Sequence, residues 1–167
     1  EKLGRLKPVF SPEGTVTAGN ASSIADGAAS LILMRADVAK QHGIQPLARI
    51  AAHATHAGAP ENFTTAPTDN IKKVLDKANW HARDVDLYEI NEAFALVTLA
   101  AMKTLALDEH QVNIHGGACA LGHPIGASGA RILVTLIHAL EQKQASKGIA
   151  ALCIGGGEAT AMAIERI

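Results

Sequence analysis

The chain has 167 residues, a formal net charge of −1 and 48% apolar residues, which is enough apolar material for a core of domain size. The near-zero charge and the absence of a basic run exclude an electrostatic footprint for nucleic acid. No apolar run approaches the roughly 18 residues of a membrane-spanning helix, and no signal-peptide pattern is seen. The two cysteines, Cys119 and Cys153, form one disulfide at most, so we expect a reducing, cytoplasmic location.

The first 45 residues show little regular patterning. Proline and glycine residues interrupt residues 1–22, which predicts irregular structure there. The small apolar stretch 24–34 predicts a buried segment of uncertain type. A short helix is expected over residues 36–42, because Gly43 follows it as a terminator.

From Pro46 onward, predicted strands and helices alternate. Strands are expected at 47–55, 85–90, 112–114, 149–154 and about 159–164, and helices at 68–79, 92–106 and 125–143. Thr68 and Asn91 are candidate caps of the first two of these helices. The order β-α-β-α-β-α-β-β predicts an α/β fold with a mixed, mostly parallel sheet and helices on both faces. The glycines at 155–157 predict a hairpin that adds an antiparallel edge strand.

The segment 115–132, HGGACALGHPIGASGARI, is the strongest functional signal in the chain. Five of its 18 residues are glycine, although the sequence on either side is apolar. Glycine at this density inside a packed domain indicates tight turns or close approach of a ligand. His123 lies in its middle and is followed by Pro124. An imidazole on a constrained turn before a helix is typical of an active site.

Three reactive side chains fall at the carboxyl ends of predicted strands. Asn91 follows strand 85–90, His123 lies in the loop after 112–114, and Cys153 ends 149–154. Because the carboxyl ends of parallel strands share one edge, these residues are expected to converge. Each also has a plainer interpretation, as a helix cap, an ordinary histidine and a small core residue respectively. Together, a thiol, an imidazole and glycine N–H donors suit acyl transfer or enolate chemistry.

Two other kinds of site fit the sequence poorly. The phosphate-binding sequence G-x-x-x-x-G-K-[ST] is absent, and Pro124 stands where a dinucleotide-binding turn needs its middle glycine. A histidine or cysteine recurs every four residues from His115 to His123, as metal ligands on a helix would. The glycines at its start and Pro124 at its end argue against a continuous helix, so no metal site is predicted.

Four ordered motifs resemble the C-terminal part of thiolases, the acetyl-CoA acetyltransferase and 3-ketoacyl-CoA thiolase family. They are GTVTAGNAS at 14–22, NEAFA at 91–95, GGACALGHPIGASGAR at 116–131 and CIGGG at 153–157. The resemblance covers nearly the whole chain and implies a thiolase-like half. In that half, residues 1–45 would be the tail of the loop region and the end of the N-terminal core, and 46–167 the C-terminal domain.

The resemblance implies a role for each candidate site residue. His123 would activate the family's nucleophilic cysteine and hold the thioester oxygen, and Asn91 would position a water in the same oxyanion hole. Cys153 would be the acid/base at the acetyl carbon, and the Gly155 N–H would serve a second oxyanion hole. The remaining candidates would bind substrate: Ser22, Ala21 and Phe10 at the pantetheine arm of coenzyme A, and Phe94 at the acyl pocket.

The resemblance also implies a group that residues 1–167 do not provide. The nucleophilic cysteine of thiolases belongs to the N-terminal half, and Cys119 is interpreted as a core residue. We therefore expect the isolated chain to be inactive. The complete protein would form or cleave β-ketoacyl-CoA through an acyl-cysteine, in fatty acid metabolism. Coenzyme A and acyl-CoA are the expected substrates, with no tightly bound cofactor, and a homo-dimer or homo-tetramer is expected.

Two departures and two alternatives stay open at this point. Ser23 and Ala25 stand where thiolases commonly have glycine and asparagine, which loosens the assignment of the coenzyme contact. The chain could instead be a non-catalytic acyl-CoA-binding or assembly module. A third interpretation makes Cys153 the nucleophile of a hydrolase with His123 as its base.

Overall fold

The computed structural model describes all 167 residues and contains one sheet with helices around it. The helices are α1 (Ala36–Gln41), α2 (Ala66–Ala78), α3 (Ala95–Leu105), α4 (Ala118–Leu121) and α5 (Ser128–Lys143). The strands are β1 (Ala48–Ala57), β2 (Leu87–Ile90), β3 (Lys147–Ile154) and β4 (Glu158–Arg166). None of the helices combines the length and the apolar character needed to cross a membrane.

The sheet has the strand order β1-β4-β3-β2. Strand β2 pairs parallel with β3, whereas β4 pairs antiparallel with both β3 and β1. Three strands therefore run in one direction and β4 in the other, which confirms the mixed α/β fold and the β3–β4 hairpin. The predicted edge position of β4 is wrong. Its small buried side chains, Ala159, Ala161 and Ala163, fit a central strand, and β1 pairs along its other side.

Helices cover both faces of the sheet, as predicted. On one face α2 and α3 pack through residues such as Ile71 and Val97 against Ile149. On the other face α5 packs through Leu136 and its neighbours against Ala150. Successive residues of β3 thus point to opposite cores, as the two-residue period of a strand requires.

The predicted strand 112–114 is wrong, and a side chain replaces it. Val112 forms a single parallel bridge with Tyr88, and Asn113 then turns into the left-handed region with φ of 48°. The Asn113 side chain accepts a hydrogen bond from the Ile90 N–H and donates one to the Ile90 carbonyl, both at 2.8 Å. One amide side chain therefore pairs with the end of β2 as a neighbouring strand would.

The helix starts differ from the sequence prediction. Helix α2 begins at Ala66, so Thr68 lies inside its first turn and the predicted cap is wrong. Helix α3 begins at Ala95, so Asn91 does not cap it either. Residues 91–94 stay non-helical because they pair with the N-terminal segment, where Ala95 N–H donates to the Asn20 carbonyl at 2.8 Å. Helix α1 confirms the predicted short helix, and Gly43 with φ of 66° follows it.

The apolar stretch 24–34 forms no helix or strand and is mostly exposed, so its predicted burial is wrong. Ile24 is 85% exposed and Ile32 is 86% exposed. The physical reason is its position, because it runs outside the sheet and its packed helices. Its start still matters for the site, since Ile24 forms a parallel bridge with His123.

Candidate active site

The site lies at the edge of the sheet where β1, β2 and β3 end. These three strands run in the same direction, so their carboxyl ends meet at that edge. Asn91 follows β2, and its N–H donates to the Ala151 carbonyl of β3 at 2.9 Å. Cys153 lies two residues further along β3. The predicted convergence of Asn91 and Cys153 on one edge is therefore what the topology produces.

Asn91 and His123 are in direct contact. The Asn91 Nδ2 atom lies 3.4 Å from His123 Nε2, although 32 positions separate the two residues in the chain. Asn91 is only 1% exposed, and its Oδ1 atom is buried without a protein partner. A buried polar atom of this kind costs free energy unless a ligand or water satisfies it. Asn91 is thus built as a polar group of a site rather than as a helix cap.

The hydrogen-bond partners of His123 favour one tautomer of its ring. The Ser128 hydroxyl donates to the Pro124 carbonyl at 3.1 Å, and its oxygen lies 2.6 Å from His123 Nδ1. A hydroxyl has one proton, so a Ser128 hydroxyl that donates to Pro124 favours the His123 tautomer with its proton on Nδ1. Nε2 then holds a lone pair, which accepts from the Asn91 amide. Burial, followed by the charge of Arg131, lowers the pKa of His123, so the ring is a neutral base.

The N-terminal segment holds the His123 loop from the other side. The His123 N–H donates to the Ser23 carbonyl at 2.8 Å. Gly122 before it has φ of 89°, and a Cβ at this position would lie 2.6 Å from the Ala25 Cβ. Only glycine satisfies both constraints, which explains the GH pair.

Glu92 joins the glycine-rich loop to the end of β2. Its carboxylate accepts hydrogen bonds from the Cys119 N–H at 3.0 Å and from Asn113 Nδ2 at 3.1 Å. Any side chain at Gly117 would overlap this carboxylate. Burial and the neighbouring Glu92 raise the pKa of Cys119 to about 11, and its half-buried thiol points to the Glu92 carbonyl. Cys119 is therefore an unreactive packing residue.

Cys153 and Gly155 lie on the β3 side of the same edge. The Cys153 thiol is half-buried beside the core under α2 and α3, and burial raises its pKa. No hydrogen bond joins it to His123, whose ring partners are Asn91 and Ser128. Gly155 is exposed in the β3–β4 turn, and its N–H donates to no backbone carbonyl. The edge thus presents a protonated thiol and a free N–H donor.

An aromatic cluster borders the site. Phe94 makes edge-to-face contacts with Phe10 at 5.6 Å and with Phe63 at 6.1 Å between ring centroids. Ala21 forms a bridge with Phe94, and the Ser22 N–H and hydroxyl both donate to the Ala93 carbonyl, at 3.2 and 3.1 Å. The structure therefore brings together all four candidates for substrate binding.

Sequence reasoning missed four residues that shape this site: Phe63, Glu92, Asn113 and Ser128. Phe63 follows β1 at the same sheet edge, a position that could have identified it. Glu92 and Ser128 lie inside the motifs that carry Asn91 and His123. No cluster of three or more His, Cys, Asp or Glu side chains is arranged to hold a metal ion.

The chain matches two family models. One, described as "Thiolase, C-terminal domain", covers residues 44–166. The other, described as "Thiolase, N-terminal domain", covers residues 1–37. Together they span both the sheet with its helices and the N-terminal segment beside the site.

Relatives and solved structures agree with these matches. An acetyl-CoA acetyltransferase of Escherichia coli is 52% identical over 167 residues, which are 100% of this chain and 42% of that protein. One of Rhizobium meliloti is 50% identical over the same length. The crystal structure of the Bacillus anthracis acetyl-CoA acetyltransferase superposes with a TM-score of 0.96 at 49% identity, over 99% of this chain and 42% of that one. Human mitochondrial 3-ketoacyl-CoA thiolase in complex with CoA gives 0.91 at 41% identity, over the same shares of the two chains. The chain thus spans about two fifths of these proteins.

Proposed function

The chain belongs to the thiolase family, and we propose that it carries the His123 side of an active site that forms or cleaves β-ketoacyl-CoA. The observation that carries this proposal is the Asn91–His123 contact, with the His123 Nε2 lone pair facing the Asn91 amide. The relatives are named acetyl-CoA acetyltransferases, which supports short acyl thioesters as substrates. Residues 46–167 would form the C-terminal domain and 1–45 the end of the N-terminal core.

In the first half of the proposed reaction, His123 acts as a base. Its Nε2 takes the proton of a nucleophilic cysteine supplied by the rest of the complete protein. The resulting thiolate attacks the thioester carbonyl, and coenzyme A leaves as a thiol after taking the proton back from His123. The carbonyl oxygen becomes negative during this step. Donors at His123 and at a water held by Asn91 would stabilise it.

In the second half of the proposed reaction, Cys153 transfers a proton to or from the acetyl carbon. For condensation, the Cys153 thiolate removes a proton from the acetyl group of a second thioester, and the carbanion attacks the acyl-cysteine carbonyl. The carbon–carbon bond forms, and the enzyme cysteine leaves as a thiolate. Cleavage is the reverse, with the Cys153 thiol protonating the carbanion. Burial raises the pKa of Cys153, so the thiol form needed for cleavage is present at neutral pH. The Gly155 N–H would stabilise the enolate oxygen.

The N-terminal segment and the aromatic cluster would bind the substrate. Ser22 and Ala21 lie against the turn after β2, where an extended pantetheine arm could run beside them. Phe94, with Phe10 and Phe63 on either side, would wall the acyl group. Coenzyme A would be a substrate rather than a resident cofactor, and the human thiolase structure similar to this chain is a complex with CoA.

The remaining expectations belong to the complete protein. The isolated chain would be inactive, because the nucleophilic cysteine lies outside residues 1–167 and neither of its own cysteines replaces it. The complete protein would act in the cytoplasm as a homo-dimer or homo-tetramer. These statements rest on the family alone and on the chain's coverage of about two fifths of its relatives.

A chimera tests the proposed function directly. The matching 167 residues of the E. coli relative are replaced by this chain, which is 52% identical to them, and thiolysis of acetoacetyl-CoA is measured. We expect the chimera to be active, and we expect His123→Ala and Cys153→Ala each to reduce kcat by about 100-fold or more. His115→Ala is the matched control, because His115 is exposed in the same glycine-rich loop.

Two results would contradict the proposal. One is a folded chimera that binds coenzyme A and has no thiolysis activity. The other is a His123→Ala variant that behaves like His115→Ala.

Calorimetric titration of the isolated chain with coenzyme A separates the alternatives that the sequence left open. If the isolated chain binds coenzyme A but the chimera is inactive, a non-catalytic binding module is favoured. If the isolated chain hydrolyses thioesters and Cys153→Ala abolishes that activity, the hydrolase is favoured.

A further inference from the structure

Glu89 is a buried carboxyl group that the proposed reaction does not use. It lies on β2, two residues before Asn91, and is 2% exposed. Burial raises its pKa to about 7, although the nearby Arg131 acts in the opposite direction. A charged group is seldom kept in such a position unless it is paired. The residue that pairs with Glu89 therefore indicates the role of this carboxyl group.

That partner is Arg131 on α5. Its Nη1 atom lies 3.5 Å from Glu89 Oε2 and 3.3 Å from the Thr135 hydroxyl. The Arg131 side chain is 18% exposed, and its Nε is buried without a partner. A buried pair gains little net stability once the cost of taking both groups out of water is counted, so this pair points to a role beyond stability.

The pair connects the two elements that hold His123. Asn91 on one side follows β2, and Ser128 on the other begins α5, one helical turn before Arg131. We propose that Glu89 and Arg131 are a positioning pair for His123, which fixes α5 against β2 and keeps a permanent positive charge near the imidazole. This role depends on the function proposed above for His123 as a base, which it deepens.

The charges around His123 are few. On the elements packed against His123, Arg131 comes from α5, Glu89 from β2, Glu92 from the turn after β2, the Cys153 thiol from β3, and Asp26 from the N-terminal segment beside Pro124. Arg131 is the only cation among them. Because Glu89 is mostly protonated below neutral pH, its charge does not offset Arg131 where His123 titrates. The guanidinium then opposes a second proton on the ring, and Nε2 keeps its lone pair.

Titration of the His123 ring protons by NMR tests this role on the 167-residue chain. A His123→Gln variant assigns the signal among the eight histidines. The test variants are Arg131→Met, Arg131→Lys and Glu89→Gln. Arg49→Met is the matched control, because Arg49 forms an exposed ion pair with Glu165 across β1 and β4.

The expected shifts differ in sign. Arg131→Met should raise the His123 pKa by about half a unit or more, because it removes the nearby positive charge. Arg131→Lys should keep the pKa low, because the charge is retained. Glu89→Gln should leave the pKa unchanged or lower it, since it removes a negative charge. Arg49→Met should have no effect.

Either of two results would overturn the proposal. The first is a folded Arg131→Met variant whose His123 pKa moves no more than in Arg49→Met, which would leave the pair as packing only. The second is a rise of the His123 pKa in Glu89→Gln, which has the wrong sign and can be observed even if Arg131→Met does not fold. Neither readout requires turnover, so failure of the chimera assay would leave this test intact.

Discussion

Glu89→Gln should change how the stability of the chain depends on pH. The glutamine side chain keeps the volume of Glu89 and can still accept a hydrogen bond from Arg131, but it has no proton to lose. Any difference in pH dependence between the two chains therefore reports the ionisation of Glu89. The side chain is 3% exposed, so solvent screens this effect little.

The magnitude follows from the Glu89 pKa of about 7, against an ordinary value of 4.5. Because the folded chain holds this proton more tightly than the unfolded chain, the stabilisation is fully present below pH 4.5 and is lost as the pH rises through 7. The whole difference corresponds to about 3 kcal/mol. Between about pH 5 and pH 8, roughly 2 to 3 kcal/mol of it should disappear from the wild-type chain.

Urea denaturation at these two pH values, followed by circular dichroism, measures the effect. The wild-type free energy of unfolding should fall relative to that of Glu89→Gln by this amount as the pH rises. His123 contributes with the opposite sign, because its pKa is lowered, but it is present in both chains and largely cancels. Glu165→Gln, on the exposed ion pair, is the control and should follow the wild type. Parallel profiles for wild type and Glu89→Gln would refute the reasoning.

Three further predictions concern the backbone and the thiols around the site. Asn113→Ala should lower the free energy of unfolding by about 3 kcal/mol in chemical denaturation, because it removes both hydrogen bonds to Ile90 and leaves alanine at positive φ. Gly157→Ala should cost at least about 2 kcal/mol in the same assay, because it combines φ of 87° with a Cβ that would lie 2.7 Å from a backbone carbonyl oxygen. Cys119 and Cys153 should react with iodoacetamide more slowly than a free cysteine peptide at neutral pH, by mass spectrometry, because their raised pKa values leave little thiolate.

Each of these has a control in the chain. Asn113→Gly should recover about 1 kcal/mol relative to Asn113→Ala, because glycine adopts the left-handed conformation without strain; equal losses would place the whole effect in the amide. Gly129→Ala lies in α5 with no atom near the new Cβ, and it should be neutral or stabilising. Single Cys→Ser variants assign the labelling, and a cysteine that reacts faster than the peptide would contradict its raised pKa.

The local patterns predicted most elements and the edge where the site lies, because they depend on periodicity and strand direction alone. The exceptions depend on contacts distant in sequence. The three residues 112–114 look like a short strand, yet Asn113 pairs through its side chain. The apolar stretch 24–34 suggests burial, but composition does not say what covers a segment. The position of β4 depends on whether β1 joins its free edge, which no local pattern encodes.

The same limit applies to the site residues. Asn91 and Cys153 could be placed from topology, because each ends or follows a strand at one sheet edge. The placement of His123 there depends on the predicted strand 112–114, which the structure replaces with a single bridge at Val112. Ser128 and Glu92 could not be given roles, because their functions appear only when the chain folds back and brings them to His123 and Cys119. Sequence therefore predicts where candidate reactive side chains lie better than it predicts which groups hold them.

Burial at this edge shifts Glu89, Cys153 and His123 toward their neutral forms. It raises the pKa of Glu89 and of Cys153 and lowers that of His123. Arg131 is the exception, because a guanidinium keeps its charge in proteins. In the proposed reaction, charge that develops on a thioester oxygen would meet fixed N–H dipoles such as that of Gly155. A neutral imidazole, a protonated thiol and a fixed cation are a combination suited to moving one proton at a time, which is what acyl transfer between thiols requires.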